Sequence, residues 1–401
     1  MAEKRKDSKG RILRSGEFQL CRDDRYAYEY RDIDGKRKRV YAVTLQELRE
    51  KEKKIQRDLQ DGINTKGGEI TLNEMFQACM ALKCNLKDST RHNYLIMWEN
   101  RVENSDIGKM KICQLRQMHI ATFCTDLINE GLADSTVKLL HFLISNTLEV
   151  AVENDLIRKN PAKNARTKGG TKKEKVALTR KQQSDLMEFL EEEDNIYAIH
   201  RPMIQLALAT GLRVGELTGL RWSDVDYKEK VLHIRQQLVY KNLDGKGCTF
   251  HIRELKTDAG RRDIPLTDSV RESLRQQREY SQMLGRDAEK MIVDGVSDFV
   301  FTNKNGKPYA TNAINAFLDN IVNDFNKAAW RAGREADSLP HISAHILRHT
   351  ACTRFAESGL DPKVLQYIMG HADIGVTMNI YTHLDMEDIK EKVNASQRKA
   401  G

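Results

Sequence analysis

Arg213 in TGLRVGEL, Lys256 in ELKTDAGRRDIPL, His345 and Arg348 in AHILRHT and Tyr381 in NIYTH, with His371 ten residues before the tyrosine, are types that could meet as one phosphate-handling site. The chemistry they suit is attack of a phenolic oxygen on a phosphodiester inside a cationic cage. A guanidinium presents a planar fork of five donors that matches two oxygens of one phosphate. An imidazole beside it, at a helix start, can donate to a phosphate oxygen and pass a proton near neutral pH. A lysine at a hairpin tip can protonate a leaving oxygen when neighbouring cations lower its pKa. Each residue also has a plainer reading. An Arg–Glu pair three apart is commonly a surface ion pair, a hairpin lysine is commonly solvated, and any of the 12 tyrosines can be core.

The elements that must position these groups have local signals. IQLALAT reads as a buried helix that Gly211 ends in the left-handed conformation. Glu216, three residues after Arg213, falls on the same face of a short helix and can orient its guanidinium. Ser343 is a helix N-cap. In the helix that follows, His345, Arg348, His349 and Cys352 share one face, while Ile346, Leu347, Ala351 and Phe355 can face the core. A metal site on His345 and His349 is the weaker reading, because the glutamate of HExxH is absent and Arg348 would repel a cation. Asp361-Pro362 starts another helix and Gly370 ends it, which leaves His371 at a helix exit and Tyr381 in a further short helix. VLHIRQQLVY, GCTFHIREL and RRDIPL read as three short strands of a β-meander, with Lys256 closing the second strand before the turn Thr257–Gly260.

A chain of 401 residues exceeds the usual single domain, and 40% apolar content lets each domain bury a core. The net charge of +8 points to a polyanionic partner, and the first sixty residues hold 18 Lys/Arg against 12 Asp/Glu. Seven cysteines without CxxC spacing argue for a reduced, intracellular protein with neither a disulfide frame nor a zinc knuckle. No apolar run reaches the roughly 18 residues of a membrane span, and MAEKRKDSKGR is polar, so a cytoplasmic protein with no membrane partner is expected.

At the N-terminus, Tyr26, Tyr28 and Tyr30 alternate with Ala27, Glu29 and Arg31. The turn Asp32–Gly35 leads into KRKRVYAV, which makes a hairpin. Thr44 and Glu47 have capping-box spacing at the head of a helix that runs out at Asp61-Gly62. Arg25, Tyr28, Lys36, Arg37, Lys38 and Arg39 would make this basic sheet a DNA-reading surface. The alternative is tyrosines packed on the helix under solvated charges. Residues 71–163 are helical in pattern throughout, a small bundle with Ser89, Ser135 and Asn73 as candidate caps and Gly131 as a candidate stop. The stretch 163–175 carries Lys168, Lys172 and Lys173 in a local excess of +5; it is an exposed linker that can also track a DNA backbone. It has no GxxxxGK[ST] pattern, so it is not a nucleotide-binding loop.

Taken together, these motifs resemble the tyrosine recombinase (phage-type integrase) family. TGLRVGEL resembles its first arginine box, ELKTDAGRRDIPL its hairpin lysine, HILRHT its HxxR box and MGHADIGVTMNIYTHL its histidine–tyrosine box. Tyr381 lies one residue further from His371 than is common in the family. The N-terminus is similar to the arm-site-binding domain of conjugative-transposon integrases. The resemblance implies an α+β multidomain chain: 1–65 an arm-site module of small sheet plus helix, 66–165 an all-helical core-site-binding domain, 166–178 a basic linker, 179–390 a mainly helical catalytic domain with the three-stranded meander, and 391–401 a tail. It implies Tyr381 as nucleophile, Arg213 and Arg348 as phosphate clamp, Lys256 as acid, His345 and His371 as proton-transfer and hydrogen-bonding partners, and Glu216 in support. No metal, ATP or other cofactor is implied. The partners implied are double-stranded DNA at core and arm sites, a homotetramer on that DNA and an optional excisionase. A type IB topoisomerase-like enzyme and a non-catalytic DNA-binding regulator are the alternatives.

Overall fold

The computed structural model describes residues 5–20, 24–32, 35–60, 69–164, 176–192, 194–242, 247–255, 257–285 and 292–381. The boundary expected at 65/66, residues 166–175 with Lys168, Lys172 and Lys173, the hairpin Lys256, and everything after Tyr381, including the tail 391–401, lie outside them. The chain divides into two compact units, Met1–Lys173 and Glu174–Gly401.

The first unit opens on an antiparallel sheet of β1 (Glu17–Gln19), β2 (Tyr26–Arg31) and β3 (Arg37–Ala42), followed by α1 (Leu45–Gln60). Thr44 Oγ1 accepts from the Glu47 N–H (3.2 Å) and starts the helix. Side chains alternate between the faces of a strand. Tyr26, Tyr28 and Tyr30 therefore share a face with their register partners Ala42, Val40 and Lys38, and this face meets Leu45 and Leu48 of α1. Tyr28, expected on a DNA-reading surface, is 8% exposed and belongs to that core. The correction has a simple cause: the sheet has one apolar face, and α1 covers it. The opposite face presents Arg31, Arg37, Arg39 and Tyr41. There the Arg39 guanidinium lies 5.3 Å from the centre of the Phe18 ring and donates to Glu29 (2.8 Å). Arg25 and Lys36 are exposed beside the strands, and Lys38 pairs with Asp32 at 3.7 Å on the Tyr30 side.

Among the described residues five α-helices follow: α2 (Leu72–Leu82), α3 (Asp88–Trp98), the short α4 (Asp106–Lys109), α5 (Gln117–Asn129) and α6 (Asp134–Glu153). Thr71, not Asn73, caps α2, through a reciprocal box with Glu74. Asn73 instead accepts from Trp98 Nε1 (2.9 Å), whose ring stacks on Phe76 at 3.8 Å. Ser89 and Ser135 lie inside the first turns rather than before them, and Gly131 leaves α5 at φ +86°.

The second unit is a helical body with two small sheets. Its helices are α7 (Arg180–Phe189), α8 (Arg201–Thr210), α9 (Val214–Thr218), α10 (Asp268–Met283), α11 (Thr311–Arg331), α12 (Ala344–Glu357), α13 (Pro362–Met369) and α14 (Ile374–Tyr381). One sheet has the order β4 (Val225–Asp226), β5 (Val231–Ile234), β8 (Arg262–Pro265); the other is a hairpin of β6 (Gln236–Lys241) and β7 (Thr249–Glu254). The expected meander is thus re-paired. VLHIRQQLVY breaks at Arg235, and β8 passes over the hairpin to pair with β5. Burial explains the break: Leu232 and Ile234 enter the main core, whereas Leu238 joins Val293 and Phe299 in a separate cluster. Arg235 turns back at the junction to donate to the Arg262 carbonyl (2.9 Å). Among the described residues no helix is long and apolar enough to cross a membrane, and no group of three or more His, Cys, Asp or Glu could hold a metal ion.

Candidate active site

Two helix ends meet where the chemistry was expected. α8 carries Pro202 in its first turn and stops at Gly211, whose φ of +63° is left-handed. A Cβ built there would stand 2.6 Å from Met369 Sδ, so a side chain would also displace the end of Met369. α13 starts from Asp361, whose carboxylate accepts from Lys363 and Val364 N–H groups, and stops at the left-handed Gly370. The two exits leave carbonyls at Gly211, Met369 and Gly370 that no helical N–H satisfies. Arginines take them. Arg348 donates from Nη1 to the Gly211 carbonyl (2.6 Å) and from Nη2 to the Met369 carbonyl (2.5 Å). Arg213 donates from Nη2 to the Gly370 carbonyl (2.6 Å) and from Nη1 to Glu216 Oε1 (2.7 Å).

Glu216 does more than orient Arg213. It is 2% exposed, its Oε2 accepts from the Arg213 backbone N–H (3.0 Å), and the same oxygen accepts from Arg262 Nη2 (2.8 Å). Burial alone would raise its carboxyl, but the Arg262 and Arg213 guanidiniums more than offset that and hold it below the usual range. Two guanidiniums thus bond one carboxylate, and Arg348 lies in the same field. Arg348 shows the strain of this excess: burial first, then Arg213 and Arg262, push it down to about 10, which still leaves it protonated at pH 7. The Arg213 side chain is 39% exposed.

His371 lies directly after Gly370, with Nδ1 3.0 Å from the hydroxyl of the buried Thr377. Burial and the cations Arg348, Arg213 and Arg262 push it down to about 4. It is therefore neutral at pH 7. The unfolded imidazole takes a proton near pH 6.5 while the folded one refuses it until about 4, so this group removes stability as pH falls between those values. In an NMR titration the His371 Cε1–H signal is expected to move near pH 4. Movement near 6.5 would show that it is outside the cationic field.

α12 carries His345, exposed in its first turn, and Arg348 one turn on, 6% exposed. Its expected two-faced character is incomplete, because Arg348 and Cys352 are buried along with Leu347 and Ala351. Arg262 was not foreseen as part of the site. The strand RRDIPL predicts that one of two adjacent arginines points inward, but not which.

Tyr381 ends α14 and packs against Cys352, Ala356, Leu365 and Met369. Its hydroxyl donates to the Leu360 carbonyl, in the connection between α12 and α13. Burial, with Cys352 and Asp361 nearby, raises the phenol above its usual range. The structure gathers Arg213, Glu216, Arg348 and His371, and rests the Tyr381 hydroxyl on the Leu360 carbonyl. The turn that follows Lys256 also reaches the gathered group: a Cβ on Gly370 would stand 3.0 Å from the Ala259 carbonyl.

Comparison with known proteins gives this arrangement a family. Residues 177–388 match the model described as the phage integrase family, and residues 1–59 match that of the DNA binding domain of Tn916 integrase. The chain is 31% identical over 402 residues to the transposase from transposon Tn1545 of Streptococcus pneumoniae, spanning 96% of this chain and 94% of that protein. The figures are the same for the transposase from transposon Tn916 of Enterococcus faecalis. The Tn1549 transposon integrase, solved in complex with a circular intermediate DNA, superposes with a TM-score of 0.70 at 27% identity, covering 81% of this chain and 99% of that one. With its arginine pair, helix-exit histidine and tyrosine in α14, and with a family match over more than half its length, this chain belongs to the phage integrase family of tyrosine recombinases.

Proposed function

We propose that this chain is a site-specific DNA recombinase that integrates and excises a mobile element by cleaving and rejoining DNA through a 3′-phosphotyrosyl intermediate. One observation carries the chemistry: Arg213 and Arg262 share the single carboxylate of Glu216 while Arg348 lies buried in the same field on backbone carbonyls, an excess of positive charge that an arriving phosphate would neutralise. Arg213 and Arg348 clamp the nonbridging oxygens, with His345 and His371 adding hydrogen bonds and proton transfer. Tyr381 leaves the Leu360 carbonyl and attacks phosphorus, its phenolic proton passing to a site imidazole. The new bond joins the phenolic oxygen to phosphorus, the bond to the 5′ oxygen breaks, and Lys256 gives that oxygen a proton. Fixed cationic donors supply the electrostatic stabilisation of the transition state. The phosphotyrosyl bond keeps the energy of the phosphodiester, so the reverse step needs no ATP.

The N-terminal sheet would bind arm sites and the helical bundle core sites, with four copies meeting on DNA in the cytoplasm and an excisionase as an optional partner. The match to the Tn916 integrase DNA-binding domain and the DNA complexes of Tn1549 integrase support the binding of double-stranded DNA. Incubation with a supercoiled plasmid carrying two joined element ends tests it. Recombinant circles support the reading, relaxation without exchange assigns a topoisomerase, and bound but unaltered DNA assigns a regulator. The open sheet face gives a second expectation. Each phosphate contact contributes roughly 0.9 to the slope of log affinity against log salt. Arg37→Ala with Arg39→Ala is expected to lower that slope by about 2 on arm-site DNA and leave core-site binding unchanged in a filter-binding titration.

A further inference from the structure

Arg262 and Arg348 are the two buried arginines among the described residues, and the Arg262 side chain is fully covered. Its three nitrogens go to three different elements. Nη2 donates to Glu216 Oε2 in α9 (2.8 Å), Nη1 to the Gly260 carbonyl in the turn after Lys256 (2.9 Å), and Nε to the Ile368 carbonyl at the end of α13 (2.5 Å). These are the pieces on which the other site groups depend. The second oxygen of Glu216 holds Arg213. The residues after Ile368 supply the carbonyls that seat Arg348 and Arg213, and then His371 itself. A Cβ on Gly370 would stand 3.1 Å from Arg262 Nη1 and 3.3 Å from Arg213 Nη1, so both forks crowd the same helix exit.

Stability alone is a poor reason for such a residue. Replacing a buried ion pair by apolar groups of similar volume is often neutral or stabilising. We propose that Arg262 is a positioning residue for the cleavage step: it sets the Arg213 guanidinium through Glu216, and sets the end of α13 that seats Arg213 and Arg348 against the scissile phosphate. This rests on reading Arg213 and Arg348 as the phosphate clamp. A lysine cannot replace it, because one ammonium at the end of a flexible stem does not span three acceptors on three sides.

The test compares full-length wild type with Arg262→Lys, and with Arg262→Gln in its place should the lysine variant lose its near-UV circular dichroism. Single-turnover cleavage of a saturating nicked suicide substrate is measured beside affinity for the same DNA. Ångström-scale misplacement of a catalytic group costs about 10²-fold in rate, so the cleavage rate is expected to fall by that order while affinity stays within about twofold. A residue that only stabilises the fold would leave the rate of the folded fraction unchanged. Arg262→Gln also removes a cation near His371, so its titration should move up from about 4. A folded variant that cleaves at the wild-type rate, while Arg213→Ala is defective, overturns the positioning role alone. If Arg213→Ala itself cleaves normally, the clamp reading fails and the positioning role falls with it.

Discussion

Tyr381→Phe is expected to yield no covalent protein–DNA adduct on a nicked suicide substrate, while binding that substrate as the wild type does. The substitution removes one oxygen and leaves the ring in its contacts with Leu365, Met369 and Ala356. Its effect on stability is the loss of the hydrogen bond to the Leu360 carbonyl, about 1 kcal/mol. Its effect on the reaction is complete, because the attacking atom is gone. Cys352 in α12 and Tyr367 in α13 are other nucleophile types on the neighbouring helices. Cys352 is buried, and burial pushes its thiol up to about 11, so it is neither ionised nor accessible at pH 7. Tyr367 is 51% exposed, and its hydroxyl accepts from the Asp263 N–H at 3.0 Å. Tyr367→Phe is the control and should retain the adduct. An adduct that survives Tyr381→Phe and disappears in Tyr367→Phe would move the nucleophile from α14 to α13.

The helix ends around the site were legible because each is decided locally. Gly211, Ser343, Asp361-Pro362 and Gly370 act through backbone conformation and bonds to residues two to four positions away. Their positions in the sequence already bring His371 to a helix exit and Arg348 one turn into a capped helix. What was not legible depends on partners far apart in the chain. Arg262 reaches Glu216 across 46 residues and the Ile368 carbonyl across 106. Whether it or Arg261 points inward is fixed only when β8 pairs with β5 instead of β7. Tyr28 could be read as a DNA contact or as core until the register showed it opposite Val40, on the face that α1 covers. The resting place of the Tyr381 hydroxyl is of the same kind. Nothing near NIYTH marks the Leu360 carbonyl, 21 residues earlier, as its partner.

Arg213→Ala and Arg348→Ala are expected to lower single-turnover cleavage by about 10²–10³-fold each, the usual cost of removing one preorganised donor from a developing oxyanion. They should differ in what else they disturb. Arg213 is 39% exposed, and its loss still leaves Glu216 paired with Arg262. The variant should melt close to wild type and bind DNA nearly as well, because a single phosphate contact is a small part of the total. Arg348 is buried, and its fork satisfies the carbonyls of Gly211 and Met369. Truncation strands two buried acceptors at roughly 1–3 kcal/mol each. Against that, it relieves the repulsion from Arg213 and Arg262 that depresses Arg348 in the wild type. The net loss of stability should therefore be smaller than the carbonyls alone predict, and smaller when DNA is absent than when it is bound, since a bound phosphate offsets the repulsion among the guanidiniums. Thermal melts with and without core-site DNA read this directly. DNA should raise the melting temperature of the wild type more than that of Arg348→Ala. Equal shifts, or a folded variant that cleaves at the wild-type rate, would mean that Arg348 holds two helix ends together and does not meet the phosphate.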